Sequence, residues 1–254
     1  MPALGKTLSD LDHRQVLHRD AWKRKASIRL LYEDFHRRLL ESCPEGHILD
    51  IGSGTAHIKE LRADVISADI LAFPGIDIVA DAHLLPFQDG YFAGIVMLDV
   101  LHHLERPIDF LKEAARVLRP GGRVAMIEPA MTAVARGFYH YCHDEPVQLD
   151  VDPFARVAID PNRDPFDANQ AIPTLLFSTP AACARVEELI PSLRIFSVDW
   201  LSLFAYPMSG GLKSWSLIPS ALVAPVVRLE ERIPLVVRKK IAFRIMVVLE
   251  RGNS

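Results

Sequence analysis

Cysteine is scarce in this sequence, and long apolar runs are missing. Cys43, Cys142 and Cys183 are the only cysteines among 254 residues, and they form no CxxC pair. This spacing predicts neither a disulfide framework nor a zinc site and is typical of a reducing cytosol. No apolar run reaches the roughly 18 residues of a membrane-spanning helix, and the first residues lack the apolar core of a signal peptide. We therefore expect a cytoplasmic protein.

Positive charge is scarce in the middle of the chain. Residues 46–211 contain 12 Lys and Arg against 22 Asp and Glu. A surface of this charge repels polyanions, which disfavours nucleic acid as the partner of any site built there. Residues 212–254 are basic by contrast, with 8 Lys and Arg against 3 Asp and Glu.

Short apolar runs alternate with helical patterns through the first half of the chain. Apolar residues recur at helical spacing between Leu11 and Leu40. The five apolar runs that follow each end in a polar group, which predicts buried strands of a parallel sheet with helices on both faces. Such sheets bind ligands beyond the carboxyl ends of their strands. The residues at these ends are Asp50, Asp69, Asp81, Asp99 and Glu128.

The loop LDIGSGTAH raises three alternatives for its ligand. A nucleoside triphosphate needs GxxxxGK[ST], and no Gly-Lys pair follows Gly54. A dinucleotide loop needs a third glycine where His57 stands, and Asp50 would place a negative charge beside the pyrophosphate. S-adenosylmethionine avoids both objections, because it has a sulfonium, an ammonium and no phosphate. Asp69 ends the next strand, where a carboxylate can accept both ribose hydroxyls.

Four segments between Ile48 and Pro129 resemble the class I S-adenosylmethionine-dependent methyltransferases (methyltransferase type 11), close to the ubiquinone/menaquinone-type enzymes. The segments are LDIGSGTA, ISADI, ADAHLLPFQDGYFAGIVMLDVLHHL and FLKEAARVLRPGGRVAMIEP. They depart from the family pattern at Ala56, where glycine is more usual, and at Ala93, where aspartate is common. The resemblance implies an α/β, Rossmann-like fold: a seven-stranded, mostly parallel sheet with an antiparallel last strand and helices on both faces.

The resemblance also implies which residues bind S-adenosylmethionine. Those facing the methionine part would be Asp50, Gly52, Ser53 and Gly54. Those at the ribose and adenine would be Asp69, Ile70, Asp81 and Ala82. Met97 and Leu98 would line the pocket near the sulfonium.

We divide this single domain into four parts. Residues 1–45 form a helical cap, and residues 46–129 the cofactor-binding half. Residues 130–178 show no clear period and contain the run GFYHYCHDEP, which predicts a lid that encloses the substrate. Residues 179–254 complete the sheet: Thr179 caps a helix, LRIFSVDWLSLFAY forms a strand and KKIAFRIMVVLER includes the last strand.

The acceptor side of the site is less marked in the sequence. We predict His103, His143 and His102 as candidates for a general base, which an acceptor hydroxyl would need. For substrate contact the candidates are Tyr139, Tyr141, His140 and Glu145. Asp99 is more simply interpreted as the cap of a helix near Val100, and Tyr32 as a core residue. The acids and histidines do not cluster at metal-ligand spacing, so no metal is implied.

The C-terminal segment 212–238 mixes apolar stretches with Arg and Lys. It is interpreted first as two buried helices, interrupted by prolines, that cover the sheet. The alternative is peripheral contact with a membrane surface, although Glu230 and Glu231, interspersed with Arg228 and Arg232, weaken it.

The sequence therefore predicts a methyltransferase acting on a small-molecule, lipid-like or glycan-type acceptor by direct in-line methyl transfer. One alternative is a subunit that binds S-adenosylmethionine without turnover, against which the intact Asp50, Asp69 and Asp81 argue. Another is a dinucleotide-dependent oxidoreductase, which His57 and Asp50 disfavour.

Overall fold

The computed structural model describes residues 20, 22–142, 146–158, 160, 163–211 and 213–252. Its strands are β1 (Ile48–Ile51), β2 (Ile66–Asp69), β3 (Ile78–Val79), β4 (Phe92–Leu98), β5 (Leu118–Pro129), β6 (Leu193–Leu201) and β7 (Arg244–Arg251). Its α-helices are α1 (Ala26–Glu41), α2 (Pro107–Val117), α3 (Ala133–Cys142), α4 (Ile172–Phe177), α5 (Pro180–Leu189), α6 (Ala205–Ser209), α7 (Ser220–Glu231) and α8 (Leu235–Ile241). Two short 3₁₀ turns cover His57–Glu60 and Leu101–His103.

The seven strands form one sheet in the order β3-β2-β1-β4-β5-β7-β6. The pairs among β1 to β5 are parallel, whereas β7 is antiparallel to both β5 and β6. The predicted fold class is therefore confirmed. The strand order reverses between β1 and β4, so a crevice opens at the carboxyl ends of these two strands, where ligands bind in sheets of this kind.

Both faces of the sheet are covered by apolar contacts. On one face, α1 packs Phe35 and Leu39 against Ile48, Val96 and Ile127. The other face is packed by α2 together with the helices that follow β5. This two-sided burial explains why β1 and β4 consist almost entirely of apolar residues.

Several element bounds differ from the sequence interpretation. The predicted N-terminal helix is interrupted at Lys25: Asp20 and residues 22–24 are helical, and α1 begins at Ala26. Residues 1–19 and 21 lie outside the described residues. Between β1 and β2, where the alternating pattern predicts a helix, the chain forms only the 3₁₀ turn His57–Glu60, because β2 begins six residues after Glu60. The strand predicted up to Tyr206 ends at Leu201, since Ser202 adopts a left-handed φ of 57° that breaks the extended backbone.

The C-terminal segment forms the two expected helices, but the prediction that they are buried is wrong. Helix α7 buries only Val223 and Glu230, and α8 buries no residue. The reason is that α7 packs mainly on α1, at the margin of the fold, whereas α8 packs on α3 and on the edge strand β6.

One lysine ties the start of α1 to this C-terminal region. The ammonium of Lys25 donates to four backbone carbonyl oxygens, at 2.6–2.8 Å, and is largely shielded from solvent. The carbonyls belong to Ser209, Gly211, Lys213 and Trp215. An ammonium has three N–H groups, so the four acceptors share them and the turn after α6 wraps around the charge.

We expect Lys25→Met to lower the free energy of unfolding by about 2–3 kcal/mol, because the carbonyls lose a charged donor that water replaces only in part. Urea unfolding followed by circular dichroism measures this change. Lys112→Met is the control, because Lys112 is exposed and its one ion pair, with Asp109, is long at 3.9 Å. Equal stability of the two variants would contradict a structural role for Lys25.

Candidate functional site

The loop after β1 is built from three residues with left-handed backbone. Gly52, Gly54 and Ala56 have φ of 67°, 52° and 55°. At Gly52 the requirement is also steric, because a Cβ there would lie 2.4 Å from Cγ2 of Val100. Glycine therefore lets β1 turn sharply against the end of β4, with the Ser53 amide bonded back to Ala68 on β2.

Asp50 is buried directly below this loop. Its carboxylate accepts a hydrogen bond from the hydroxyl of Ser53. Burial raises the pKa of Asp50 to about 7; the Ser53 bond lowers it in part, and the nearby negative charge of Asp69 raises it further. Asp50 forms no ion pair among the described residues, and the charge of Lys59, which pairs with Asp77, offsets the effect of burial only in part.

Asp69 joins the glycine loop to the end of β2. Its Oδ2 accepts the Gly54 amide at 2.9 Å, and its Oδ1 accepts the Leu71 amide at 2.9 Å. Burial raises the pKa of Asp69, and these two backbone bonds act in the opposite direction. Each carboxylate oxygen has a second lone pair, so Asp69 can accept further hydrogen bonds from a ligand in the crevice.

The remaining residues assigned to the cofactor lie around the same crevice, with one exception. Asp81 accepts the amide of His83 and lies 2.7 Å from its Nδ1, and these contacts with His83 lower the pKa of Asp81. Ile70 is exposed, Ala82 is buried and Leu98 is half-buried. Met97 is completely buried in the core, because neighbouring strand residues face opposite sides of the sheet. Its assignment as a pocket-lining side chain is therefore corrected to a core position.

A buried carboxylate organises the end of β4. Glu128 is completely buried, and its Oε1 accepts the amides of Val100 and Leu101 at 2.8 and 2.7 Å. Its Oε2 lies 2.6 Å from Nδ1 of His102. A carboxylate only accepts hydrogen bonds, so Nδ1 of His102 is the donor in this contact. His102 is itself buried.

The other two candidate bases differ from His102 in their placement. The ring of His103 lies 4.2 Å from that of His102, and its Nδ1 is 3.3 Å from the backbone oxygen of Asp167. His103 is therefore held towards the segment after β5. His143 lies outside the described residues.

Asp99 takes part in a charged cluster that sequence reasoning missed. It has a left-handed φ of 59°, forms an ion pair with Arg244 and accepts a hydrogen bond from the Tyr32 hydroxyl at 3.3 Å. Arg244 is buried, with its guanidinium 4.1 Å from the ring centre of Tyr206. The predicted capping role is wrong, because the turn at Leu101–His103 receives no side-chain cap. Tyr32 thus faces this cluster as well as the core, and burial together with Asp99 raises its pKa.

Three side chains of this region come within metal-ligand distance of one another. Ligand atoms of Asp99, His102 and Glu128 all lie within 4.8 Å. Their oxygens are already engaged by Arg244, by Tyr32, by two backbone amides and by the imidazole. We therefore interpret the group as a hydrogen-bonded network.

The polar aromatic run after β5 is placed differently from its prediction. Tyr139 is buried, and its hydroxyl donates to the backbone oxygen of Phe243 at 3.4 Å. Its predicted contact with substrate is therefore corrected to a packing role between α3 and the start of β7. The side chains of His140 and Tyr141 and the whole of Glu145 lie outside the described residues.

An aromatic stack joins the N-terminal region to the glycine loop. The rings of Trp22 and His57 are parallel within 8°, with centres 3.7 Å apart. Trp22 also contacts Tyr32 edge to face at 6.1 Å. Trp22 therefore lies beside the glycine loop. No spacing pattern in the sequence indicated Trp22, because the contact joins residues 35 positions apart in the chain.

Comparisons with known proteins agree with this geometry. A family model described as a methyltransferase domain matches residues 49–126. The chain is 47% identical over 71 residues to 27-O-demethylrifamycin SV methyltransferase of Amycolatopsis mediterranei, covering 28% of this chain and 24% of that protein. It is 35% identical over 114 residues to the probable tRNA methyltransferase 9B of Bos taurus, covering 39% and 25%. The matched segments thus span about a quarter of each relative's length.

Solved structures show the same fold. The crystal structure of a SAM-dependent methyltransferase from Archaeoglobus fulgidus matches 88% of this chain and 94% of that chain, with a TM-score of 0.53 and 14% identity. At this identity the match supports the arrangement of strands and helices and carries no information on the substrate.

We expect Asp50→Asn to raise the free energy of unfolding at pH 8 by about 1–4 kcal/mol. The folded-state pKa of about 7 lies above the ordinary value of 3.8, so the wild-type protein loses stability as pH rises from about 4 to 7. Asparagine removes this loss, and the difference between the two proteins should vanish near pH 4. Urea unfolding across this pH range measures it.

Asp77→Asn is the matched control for this experiment. The pKa of Asp77 is lowered, first by its bond from Lys59 and then by the Ser67 amide, so the variant should lose stability at pH 8. A gain in both variants would show that removal of surface charge, and not the burial of Asp50, is responsible.

Proposed function

Because this chain belongs to the class I S-adenosylmethionine-dependent methyltransferases, we propose that it transfers the methyl group of S-adenosylmethionine to a small-molecule acceptor. The observation that carries the proposal is the pair of raised-pKa carboxylates, Asp50 and Asp69, at the carboxyl ends of β1 and β2 around a loop of left-handed glycines. A cationic nucleoside fits this arrangement in charge.

The residues on the rim match the parts of the cofactor one by one. Asp50, beneath the loop, supplies negative charge towards the methionine end, where the ammonium and sulfonium need compensation. Asp69 has free lone pairs for the ribose hydroxyls. Exposed Ile70 offers an apolar surface for the adenine, and Asp81 can accept its amino group.

The reaction requires alignment more than activation by the protein. S-adenosylmethionine supplies a methyl group on a positively charged sulfur. The acceptor atom forms a bond to the methyl carbon while the carbon–sulfur bond breaks, and its electron pair stays on the sulfur of S-adenosylhomocysteine. Positioning of two reactants in this way can contribute about 7–11 kcal/mol.

His102 is our candidate for the general base when the acceptor is a hydroxyl. Glu128 orients the imidazole through the contact at Nδ1, and the imidazole would take the proton that a hydroxyl acceptor releases. Glu128 is then a positioning residue, held in place by the amides of Val100 and Leu101. The relative named 27-O-demethylrifamycin SV methyltransferase supports an acceptor of small-molecule type.

The charge of the chain favours this acceptor class over nucleic acid. One relative is named a probable tRNA methyltransferase, but the 22 acidic residues against 12 basic ones in residues 46–211 oppose a polyanion at this site. The segment 130–178, our proposed lid, contributes helix α4, which packs against the turn that bears His102 and His103. A small acceptor enclosed by this segment suits both observations.

We expect Asp69→Ala to weaken binding of S-adenosylhomocysteine at least about tenfold, because the ribose loses its acceptors and the Gly54 amide loses its anchor. Isothermal titration calorimetry measures the dissociation constant. Asp77→Ala is the control. Asp77 also accepts a backbone amide, that of Ser67, but its carboxylate is paired with the ammonium of Lys59. Unchanged affinity in a folded Asp69→Ala protein would contradict the proposed cofactor site.

We expect His102→Gln to lower kcat about 10²–10⁴-fold on a hydroxyl acceptor while leaving affinity for S-adenosylhomocysteine within about twofold. A screen of acceptor classes that reads S-adenosylhomocysteine release identifies the acceptor and then measures kcat. Glu128→Gln should shift the pH profile of kcat, because it changes how Nδ1 is held. His47→Gln, at an exposed ring stacked on Tyr91, is the control. Full activity of folded His102→Gln would exclude this base.

A further inference from the structure

The C-terminal helices expose an unusual set of side chains to solvent. We call the exposed residues of 213–240 the basic apolar surface. Its large apolar members, each at least 40% exposed, are Trp215, Leu217, Leu222, Leu229, Leu235, Val236 and Val237. Its exposed cations are Lys213, Arg228, Arg232, Lys239 and Lys240. Solvent-facing leucines and valines at this density mark a contact surface more often than a free one.

Helix α7 carries apolar side chains on both of its faces. Val223 lies on the inner face and packs with Ile28 and Leu31 of α1. Leu222, Pro225 and Leu229 lie on the outer face, at spacings of three and four residues, and are exposed. Packing within the chain therefore accounts for the inner face and leaves the outer face without a partner in the part of the chain described.

Helix α8 continues this exposure after a three-residue connection. It begins with Leu235, Val236 and Val237, which are 41%, 65% and 40% exposed. Its last turn contains Arg238, Lys239 and Lys240, of which Arg238 is paired with Asp199. The exposed apolar turn is thus followed directly by two solvent-facing lysines.

The acidic residues of the segment do not neutralise these cations. Glu230 is buried and accepts the amides of Phe204 and Ala205 at 2.6 Å each. Glu231 is ion-paired with Arg38 of α1. Among the described residues no carboxylate pairs with Arg228, Arg232, Lys239 or Lys240. The two glutamates, which in the sequence alone argue against a membrane surface, are therefore accounted for inside the fold.

We propose that the basic apolar surface docks on a lipid bilayer that contains anionic lipids. Exposed leucines, valines and a tryptophan can enter the boundary between headgroups and acyl chains while the arginines and lysines contact lipid phosphates. Each described helix falls short of the length and apolarity that crossing a bilayer requires. Helices α7 and α8, of 12 and 7 residues, would therefore lie along the surface.

A second copy of the chain suits this surface less well. A symmetric dimer places the same patch of each copy against the other. Such a dimer would bring together two patches that each carry Arg228, Arg232, Lys239 and Lys240, none of which forms an ion pair among the described residues. Anionic lipid supplies the opposite charge that this surface lacks.

The test is sedimentation of the full chain with vesicles of phosphatidylcholine alone or mixed with phosphatidylglycerol. We expect binding to the mixed vesicles and loss of binding in high salt, because the attraction of cations to an anionic surface is screened. Arg228→Gln with Arg232→Gln should reduce partitioning about tenfold or more. Leu229→Glu with Val236→Glu should reduce it similarly, because both side chains leave the apolar boundary.

Matched controls separate this surface from general stickiness. Leu61→Glu replaces a leucine of comparable exposure, 46%, outside the segment, and Arg194→Gln removes an exposed arginine of β6. Both should bind vesicles as the wild type does, and thermal unfolding shows that every variant is folded.

Recovery of the wild-type protein in the supernatant with mixed vesicles overturns the proposal. So does a dimer that the Leu229→Glu, Val236→Glu variant abolishes, since a second copy would then be the occupant. The measurement uses no cofactor or acceptor, so its outcome is independent of the proposed methyl transfer.

Discussion

The buried carboxylate of Glu128 is the constraint on which the rest of the site depends. It ends β5 and receives three donors from the turn after β4, at 2.6–2.8 Å. A completely buried carboxylate is costly unless its hydrogen bonds are satisfied, so the turn has little freedom to move. Val100 is thereby fixed against the loop after β1, and the space it leaves admits only a hydrogen atom on the Cα of Gly52.

The contact between Val100 and Gly52 positions the glycine loop, and the loop is in turn hydrogen-bonded to the end of β2. Gly54 lies in left-handed backbone, and its amide points to Asp69 at 2.9 Å. The ends of β1, β2, β4 and β5 are in this way joined by hydrogen bonds and one steric contact, without help from a ligand. Asp50 remains buried beneath the loop with a raised pKa, so the site keeps an electrostatic cost that a cation would relieve. Carboxyl groups with perturbed pKa values of this kind cluster at functional sites.

In the C-terminal half, the inner face of α7 contributes to the packing of the fold, whereas the outer face is exposed. Lys25 and the inner face of α7 tie this half to α1 through carbonyl and apolar contacts. The outer face of α7 contributes nothing to that packing. Its Leu222, Leu229 and Arg228 are exposed, so the helix can pack on α1 with one face and, as we propose, contact a membrane with the other.

The sequence by itself determined the parallel sheet and the ligand crevice, because both follow from local patterns. Apolar runs ending in acids specify buried strands, and Asp50 and Asp69 carry their chemistry at the ends of those runs. Tertiary structure alone decided which groups meet across long separations. Arg244 lies beside Asp99 and Trp22 stacks on His57, and no periodicity encodes either pair. The same holds for Tyr139 and for α7, because burial depends on what packs opposite a residue, and a single segment of sequence does not contain its neighbour.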